Sequence, residues 1–167
     1  MNEKEDKTTT LCLITRKEGR EVLLALKAEG FGKGVWNAFG GKPRAVDGGS
    51  VERTLVREVE EESCLRVKPE ALKKVAIIRF FFDGEFKWEM HTFLANEWQG
   101  EPQSTREMVN PTWFNTAHLP WPEMWEGDPL WMPSVFAGDK VKCDIFYRVL
   151  SDGAKIVENV IRYEVDF

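Results

Sequence analysis

The sequence predicts one α/β domain whose sheet is largely antiparallel. Three pairs of apolar and β-branched runs are each separated by a short turn signal, which is typical of β-hairpins. These pairs lie at 11–15 and 21–27, at 73–82 and 87–95, and at 140–150 and 155–166. Residues 51–63 contain neither Gly nor Pro and follow Ser50, a favourable N-cap, so this segment is predicted to be a helix.

The remaining segments are predicted to be shorter and less regular. We expect extended pieces at 35–39 and 111–114, and helical structure around Phe136. Residues 119–133 hold three tryptophans among four prolines, which favours a rigid aromatic loop over a regular element. Residues 1–9 are polar and charged, and we expect them to form a flexible N-terminus.

Composition and charge limit the kinds of molecule that this protein is expected to bind and the compartment in which it is expected to lie. The 167 residues carry 28 acidic against 23 basic side chains, a net charge of −5, which disfavours a nucleic-acid polymer. No segment approaches the roughly 20 apolar residues that a membrane span needs. The three cysteines fit neither a disulfide framework nor a zinc signature. We therefore expect a single, monomeric domain in a reducing compartment, by default the cytoplasm, with nuclear and mitochondrial pools left open.

The predicted helix concentrates acidic side chains on one face. Glu58, Glu61 and Glu62 are spaced i, i+3 and i+4, which brings them together on a helix. Because these like charges repel, the cluster predicts a hard divalent cation. Mg²⁺ suits such oxygen ligands, and Mn²⁺ can substitute for it. The alternative for an isolated run of glutamates is a solvated acidic helix face.

The residues around this helix resemble the Nudix box. The resemblance is carried by Gly41 and, after a gap, by Arg57-Glu58-Val59-x-Glu61-Glu62-x-Cys64-Leu65. It implies the Nudix fold, an α/β/α sandwich with a mixed, largely antiparallel central sheet. It also implies Mg²⁺-dependent hydrolysis of a nucleoside diphosphate linked to another group.

The same resemblance implies roles for individual residues. The metal ligands are then Glu58, Glu61, Glu62, Glu107 and Gly40. Glu61 or a more distant carboxylate takes the proton of the attacking water. Glu58 and Arg57 complete the catalytic set, with Arg57 orienting a glutamate.

The motif departs from the Nudix pattern in its first loop and at its end. Gly41 lies sixteen residues before Arg57 instead of fourteen. The first glutamate of the pattern, which usually pairs with this arginine, therefore falls at Gly49 or at Asp47, depending on the direction of counting. Cys64 replaces a glycine, so a positive φ at this position is expected to be strained.

Segments outside the motif resemble the Nudix branch of the animal MutT homologues, which hydrolyse oxidised purine nucleoside triphosphates. These segments are 30–42, 124–133 and 162–166. The resemblance implies cleavage of 8-oxo-dGTP, with 2-hydroxy-dATP as a second candidate, to the monophosphate and pyrophosphate. It implies that Asn37 hydrogen-bonds the purine edge and that Trp125 and Phe31 sandwich or line the base. The full set of implied substrate-binding residues is Asn37, Asp128, Trp125, Phe31, Thr10, Lys27, Phe80 and Trp131.

One position in the segment 124–133 departs from the pattern of the branch. Two adjacent aspartates face the base there, whereas this sequence has Gly127-Asp128. We expect Asp128 to recognise the purine. We also expect the activity toward oxidised adenine nucleotides to differ from that of the branch. Two alternatives stay open: a Nudix hydrolase of another nucleotide (a methylated purine triphosphate, a dinucleotide polyphosphate or a nucleotide sugar), and a module that binds a nucleotide without cleaving it.

Overall fold

Eight β-strands and two α-helices make up the computed structural model, which describes residues 7–167. The strands are β1 (Thr8–Arg16), β2 (Glu21–Lys27), β3 (Trp36–Asn37), β4 (Lys73–Phe82), β5 (Glu85–Ala95), β6 (Met108–Asn115), β7 (Val141–Val149) and β8 (Lys155–Arg162). The helices are α1 (Val51–Ser63) and α2 (Met132–Phe136). Short 3-10 turns occupy Ala45–Asp47, Pro69–Ala71, Trp121–Glu123 and Asp128–Leu130.

The strands form one sheet in the order β3-β2-β1-β5-β4-β7-β8, and β6 also pairs with β2. β1 runs parallel to β5, and β4 runs parallel to β7. The other strand pairings within residues 7–167 are antiparallel. The prediction of a mixed, largely antiparallel sheet is therefore confirmed.

Apolar side chains cover both faces of the sheet. On one face, Leu55 and Val59 of α1 are fully buried in a cluster with Leu23 of β2. On the other face, Trp131 and Met132 are fully buried together with residues of β1, β4 and β7. Burial of each such side chain contributes about 1.5–3 kcal/mol relative to its exposure. The result is the expected α/β/α layering, with α2 and the aromatic loop on the side opposite α1.

The three hairpins and the main helix form as the sequence predicts, except that β5 begins at Glu85 and β8 ends at Arg162 instead of residue 166. Helix α1 begins directly after Ser50, whose Oγ accepts a hydrogen bond from Arg53 N at 3.2 Å. The expectation for the N-terminus is corrected at Thr8 and Thr9, because both belong to β1 and pair with Glu89 and Met90 of β5. Residues 1–6 lie outside the described part of the chain.

Two further sequence expectations can be compared with the structure. Within residues 7–167, no helix has the length and apolar character required to cross a membrane. Cys12, Cys64 and Cys143 are all free thiols.

Cys64 ends α1 in a left-handed conformation, with φ 64° and ψ 10°. A side chain in this region costs about 1–2 kcal/mol, whereas glycine adopts it freely but is more flexible when unfolded. We therefore expect Cys64→Gly to stabilise the protein by about 0.5–1 kcal/mol, which raises Tm by about 1–4 °C. Thermal denaturation tests this, with Cys64→Ala as the control that keeps the strain. A Tm for the glycine variant at or below that of the alanine variant contradicts the prediction.

Candidate active site

Two glycines, Gly40 and Gly41, lie where β1 approaches α1. Thr10 N and Thr10 Oγ1 both donate to the Gly41 carbonyl oxygen, at 2.9 and 3.1 Å. A Cβ on Gly40 would clash with the Thr10 backbone, and a Cβ on Gly41 would lie 2.5 Å from the carboxylate carbon of Glu58. Close packing therefore requires both glycines, and it leaves their backbone beside the acidic face of α1.

Arg57 holds the preceding loop against α1. Its Nε and Nη2 donate to the two carboxylate oxygens of Asp47, each at 2.8 Å. Asp47 is buried and also accepts from Thr54 Oγ1 at 3.0 Å and from Arg44 N at 2.8 Å. The Arg57 guanidinium holds the pKa of Asp47 well below its usual range. Asp47, at the end of the 3-10 turn Ala45–Asp47, is therefore the carboxylate that pairs with Arg57.

Glu58 and Glu62 of α1 point inward. Glu58 accepts from Arg57 Nη1 at 2.7 Å, and its carboxylate faces Gly41. Glu62 accepts from Gly40 N at 3.0 Å. Both glutamates are buried, so their charges are poorly screened by water.

Glu61 points outward, which corrects the expectation that all three glutamates converge. Its side chain is 43% exposed and pairs with Arg44 Nη1 at 3.0 Å and Arg57 Nη1 at 3.1 Å. Among residues 7–167, no three acidic, histidine or cysteine side chains are arranged to hold a metal ion. Each carboxylate instead satisfies its charge with the nearest N–H groups. The pair between Glu61 and Arg44 is exposed on both sides, and such pairs contribute only about 0–1 kcal/mol.

The buried carboxylate of Glu62 lies among charges of both signs. Burial, together with the smaller effect of the like charges of Glu58 and Glu107, raises its pKa to about 8. The Gly40 N–H and the ammonium of Lys27, 3.9 Å from Oε1, act in the opposite direction. A buried carboxylate with two others in electrostatic range has the oxygen donors and the excess charge that fit a hard divalent cation. Glu107 is exposed and lies within electrostatic range of Glu62, and its role as a metal ligand stays a prediction.

A cavity of about 420 Å³ lies beside these acids. Its volume falls in the range of small-molecule sites. Nine of the residues implied by the resemblance line it: Thr10, Lys27, Phe31, Asn37, Gly40, Glu62, Phe80, Trp125 and Asp128. Arg57, Glu58, Glu61 and Glu107 lie outside its lining.

Asn37 and Asp128 supply polar groups to the cavity. The Oδ1 of Asn37 accepts from Ala38 N at 2.9 Å, which leaves its amide N–H groups as donors. Asp128 is buried, and its Oδ2 has no hydrogen-bond partner among residues 7–167. Burial raises the pKa of Asp128 to about 7. Its carboxyl can therefore donate or accept near neutral pH.

Trp131 does not line the cavity, which corrects its assignment as a direct substrate contact. The side chain is fully buried in the core, at the residue directly before α2. Its indole N–H lies near Asp128 and lowers the pKa of that carboxyl, against the larger effect of burial. By distance and angle, however, neither the Trp131 Nε1 nor the Asp128 Oδ2 has a hydrogen-bond partner among residues 7–167.

Phe31 and Trp125 stack directly on each other. Their ring centroids are 5.1 Å apart at an interplanar angle of 28°. Since the rings are already in stacking contact, a base cannot lie between them, and of the two expected arrangements only lining fits this structure. The ammonium of Lys155 lies 5.4 Å from the Phe31 ring centroid and 5.9 Å from that of Trp125, so it covers the outer side of the pair.

Several cavity residues were not identified from the sequence. Trp88 and Met90 of β5 line it, as do Leu11 and Lys42. Trp88 pairs with Phe80 across β4 and β5, and their rings are 5.5 Å apart. The alternation of Trp88 and Met90 along β5 is a signal that these two share one face of the sheet.

Comparisons with known proteins match the chain to one family and one fold. The family model described as NUDIX domain matches residues 6–135. The chain is 42% identical over 128 residues to an oxidized purine nucleoside triphosphate hydrolase of Danio rerio, covering 76% of this chain and 78% of that protein. It is 38% identical over 125 residues to the protein of the same description from Mus musculus, covering 74% and 76%. The crystal structure of a mutator MutT protein from Bacillus halodurans superimposes with a TM-score of 0.71 at 25% identity, covering 93% of this chain and 96% of that one.

Proposed function

The chain belongs to the NUDIX family and is a hydrolase of nucleoside triphosphates, and we propose that its substrates are oxidised purine nucleoside triphosphates, cleaved to the monophosphate and pyrophosphate. One observation carries the proposal. A single cavity joins a hydrogen-bonding pair suited to a purine, Asn37 and Asp128, to the buried acid Glu62. The two relatives described as oxidized purine nucleoside triphosphate hydrolases support the same substrate class.

Base recognition combines stacking with hydrogen bonds. Trp125 offers an aromatic face, and stacking of a base on such a ring contributes about 1–3 kcal/mol. Asn37 presents amide donors, and Asp128 presents a carboxyl that donates when protonated and accepts when ionised. Purine edges carry donors and acceptors side by side, and this pair can match either order.

The phosphate end of the substrate lies toward Glu62 and Lys27. The Lys27 ammonium can pair with a phosphate oxygen, because it is 3.9 Å from Glu62 and lines the cavity. Glu62, Glu58, Glu107 and Gly40 would hold the divalent cation. When bound, such a cation neutralises charge on phosphate oxygens and lowers the pKa of water.

The proton of the attacking water requires an acceptor at the same end. In this proposal the acceptor is Glu61, which would turn from its pair with Arg44 toward the cavity, or a more distant carboxylate, while Arg57 stays paired with Asp47 and Glu58. The carboxylate oxygen of the acceptor then takes the proton as the water oxygen bonds to phosphorus. The P–O bond to the leaving pyrophosphate breaks in the same displacement.

A substrate panel tests the proposed function. Release of pyrophosphate is measured with 8-oxo-dGTP, dGTP and 2-hydroxy-dATP, with Mg²⁺ and with EDTA. We expect Mg²⁺-dependent release with kcat/KM at least about tenfold higher for 8-oxo-dGTP than for dGTP, which corresponds to about 1.4 kcal/mol. Because residue 127 is glycine, 8-oxo-dGTP and 2-hydroxy-dATP are expected to differ. Equal rates for these two contradict the expected breadth, and equal rates for 8-oxo-dGTP and dGTP contradict the proposed substrate class.

The raised pKa of Glu62 makes cation binding pH-dependent. Burial raises this pKa to about 8, and the cation requires the carboxylate form, so binding must displace a proton below that pH. We expect the affinity for Mn²⁺ to rise by up to about tenfold per pH unit below pH 8 and to level off above it. Calorimetry in buffers of different ionisation enthalpy counts the released protons. An affinity that does not change between pH 6.5 and pH 9 contradicts this prediction.

A further inference from the structure

Tyr147, a residue of β7, contacts the segment that carries Asp128. Its side chain is buried, and its hydroxyl accepts a hydrogen bond from Gly127 N at 3.0 Å. The two residues are twenty positions apart in the chain. This bond ties the aromatic loop to the central sheet, because the loop supplies the donor and β7 supplies the acceptor.

The hydroxyl also explains why residue 127 is glycine. Gly127 has φ −77° and ψ −18°, a conformation that any residue adopts, so backbone geometry does not require glycine. The space around residue 127 does require glycine. A Cβ at this position would clash with the Tyr147 hydroxyl and would lie 3.1 Å from Ile145 Cδ1. Tyr147 and Gly127 therefore form a matched pair.

Tyr147 acts on the neighbours of Gly127 as well. Its ring lies edge-on to Trp125, with centroids 6.5 Å apart and an interplanar angle of 79°. Burial raises the pKa of Tyr147, and the nearby charge of Asp128 raises it further, so the phenol stays protonated across the working pH range. One side chain thus acts on residues 125, 127 and 128.

The backbone transmits the position of Gly127 to Asp128. Asp128 N donates to Trp125 O at 3.0 Å, and Leu130 N donates to Gly127 O at 3.0 Å, so residues 125–130 form a continuous turn. Asp128 lines the cavity from this turn, and its Oδ2 lacks a partner within the described chain. A buried polar atom without a partner carries a desolvation cost that a ligand can relieve.

We propose that Tyr147 is a positioning residue for recognition of the base. Its hydroxyl fixes the turn at Gly127, so that Asp128 keeps a free carboxyl oxygen on the cavity and Trp125 keeps its aromatic face there. This inference rests on the proposed function, because it assigns the base end of the cavity to a purine. It adds a specificity determinant that does not itself line that cavity.

Three variants and one control test the inference. Tyr147→Phe removes only the hydroxyl, and we expect KM for 8-oxo-dGTP to rise about tenfold with kcat changed less than about twofold. Gly127→Ala is expected to raise KM by about thirtyfold or more, because the methyl group displaces the turn. The double variant is expected to have a KM well below that of Gly127→Ala and close to that of Tyr147→Phe, since removing the hydroxyl relieves the one severe clash and leaves contacts of 3.1 and 3.3 Å that small shifts of Ile145 and the ring can relax.

The control is Phe146→Leu in the same strand. Phe146 is half-buried and stacks on Phe81 at 4.6 Å, and neither ring lines the cavity. We expect this variant to lose some thermal stability and to keep the wild-type KM. If Gly127→Ala alone does not fold, a double variant whose KM is within about threefold of Tyr147→Phe still supports the matched pair.

Purely structural packing by Tyr147 predicts a different pattern. In that case Tm falls in Tyr147→Phe while KM is unchanged. The effects of the two single variants on KM then also add in the double variant. Either result overturns the inference. Binding of 8-oxo-dGMP, followed by tryptophan fluorescence, repeats the comparison without turnover.

A wild-type protein that binds and cleaves none of these nucleotides contradicts the proposed function, and the inference falls with it. A wild type that cleaves them and a Tyr147→Phe variant identical to it overturn the inference alone.

Discussion

Glu62→Gln is expected to lower kcat with 8-oxo-dGTP by about a thousandfold or more while the fold stays intact. The carboxylate lies buried beside Gly40 and Lys27, within electrostatic range of two further acids. Glutamine keeps the size of the side chain but removes the charge that holds a cation. Loss of a cation that supplies several kcal/mol of charge neutralisation accounts for a factor of this size.

The same substitution is expected to leave stability unchanged or to raise it when no metal is present. A folded-state pKa of about 8 lies above the usual value for glutamate, so the folded protein binds this proton more tightly than the unfolded chain. The carboxyl therefore costs folding free energy as pH rises from about 4 to about 8, and glutamine removes that cost. Thermal denaturation in EDTA at pH 8 measures the difference.

Glu60→Gln is the matched control for Glu62→Gln. Glu60 lies two residues away in α1, is exposed, and pairs with the exposed Arg66 at 3.2 Å. We expect wild-type kcat and Tm from this control. A Glu62→Gln variant as active as Glu60→Gln would remove Glu62 from the active site.

Asp47→Asn is expected to destabilise the protein and to inactivate it. Asp47 is buried and receives two hydrogen bonds from Arg57, which is itself 16% exposed. Breaking such a pair leaves an arginine without its partner and costs about 3 kcal/mol, which lowers Tm by about 6–12 °C. Activity falls as well, because Arg57 no longer orients Glu58.

The stabilisation of the fold by Asp47 is expected to be lost in acid. The pKa of Asp47 is lowered in the folded protein, chiefly by Arg57, so its contribution to stability is complete above about pH 4 and is lost as pH falls further. The stability gap between wild type and Asp47→Asn should therefore narrow in acid. Asp139→Asn, at an exposed position, is the control and should match wild type at every pH. A gap that stays constant down to about pH 2 contradicts the ion-pair account.

Local patterns predicted the elements well. Ser50 and the segment without Gly or Pro located α1, and alternating apolar residues located the hairpins. These signals lie within one element, where propensity and capping act directly. The resemblance then placed most of the cavity residues, because the motifs around Asn37 and Trp125 are read without knowledge of the fold.

Contacts between distant segments were harder to predict. The spacing of the motif placed the partner of Arg57 at either Gly49 or Asp47, depending on the direction of counting. The structure shows that the 3-10 turn of the loop brings Asp47 to Arg57. The orientation of Glu61 depends on its rotamer and on Arg44, neither of which helical spacing specifies. The match between Gly127 and Tyr147 depends on how β7 packs against the aromatic loop. Trp131 was misplaced because a sequence motif does not distinguish a residue that lines the cavity from one in the core beside it.

Anomalous scattering from a crystal grown with Mn²⁺ and a non-hydrolysable purine triphosphate analogue tests the central claim directly. The account predicts a peak next to Glu62, within bonding distance of oxygens from Glu58, Glu107 or Gly40 and of the triphosphate. Absence of any peak at these residues, with the triphosphate bound elsewhere, would contradict it.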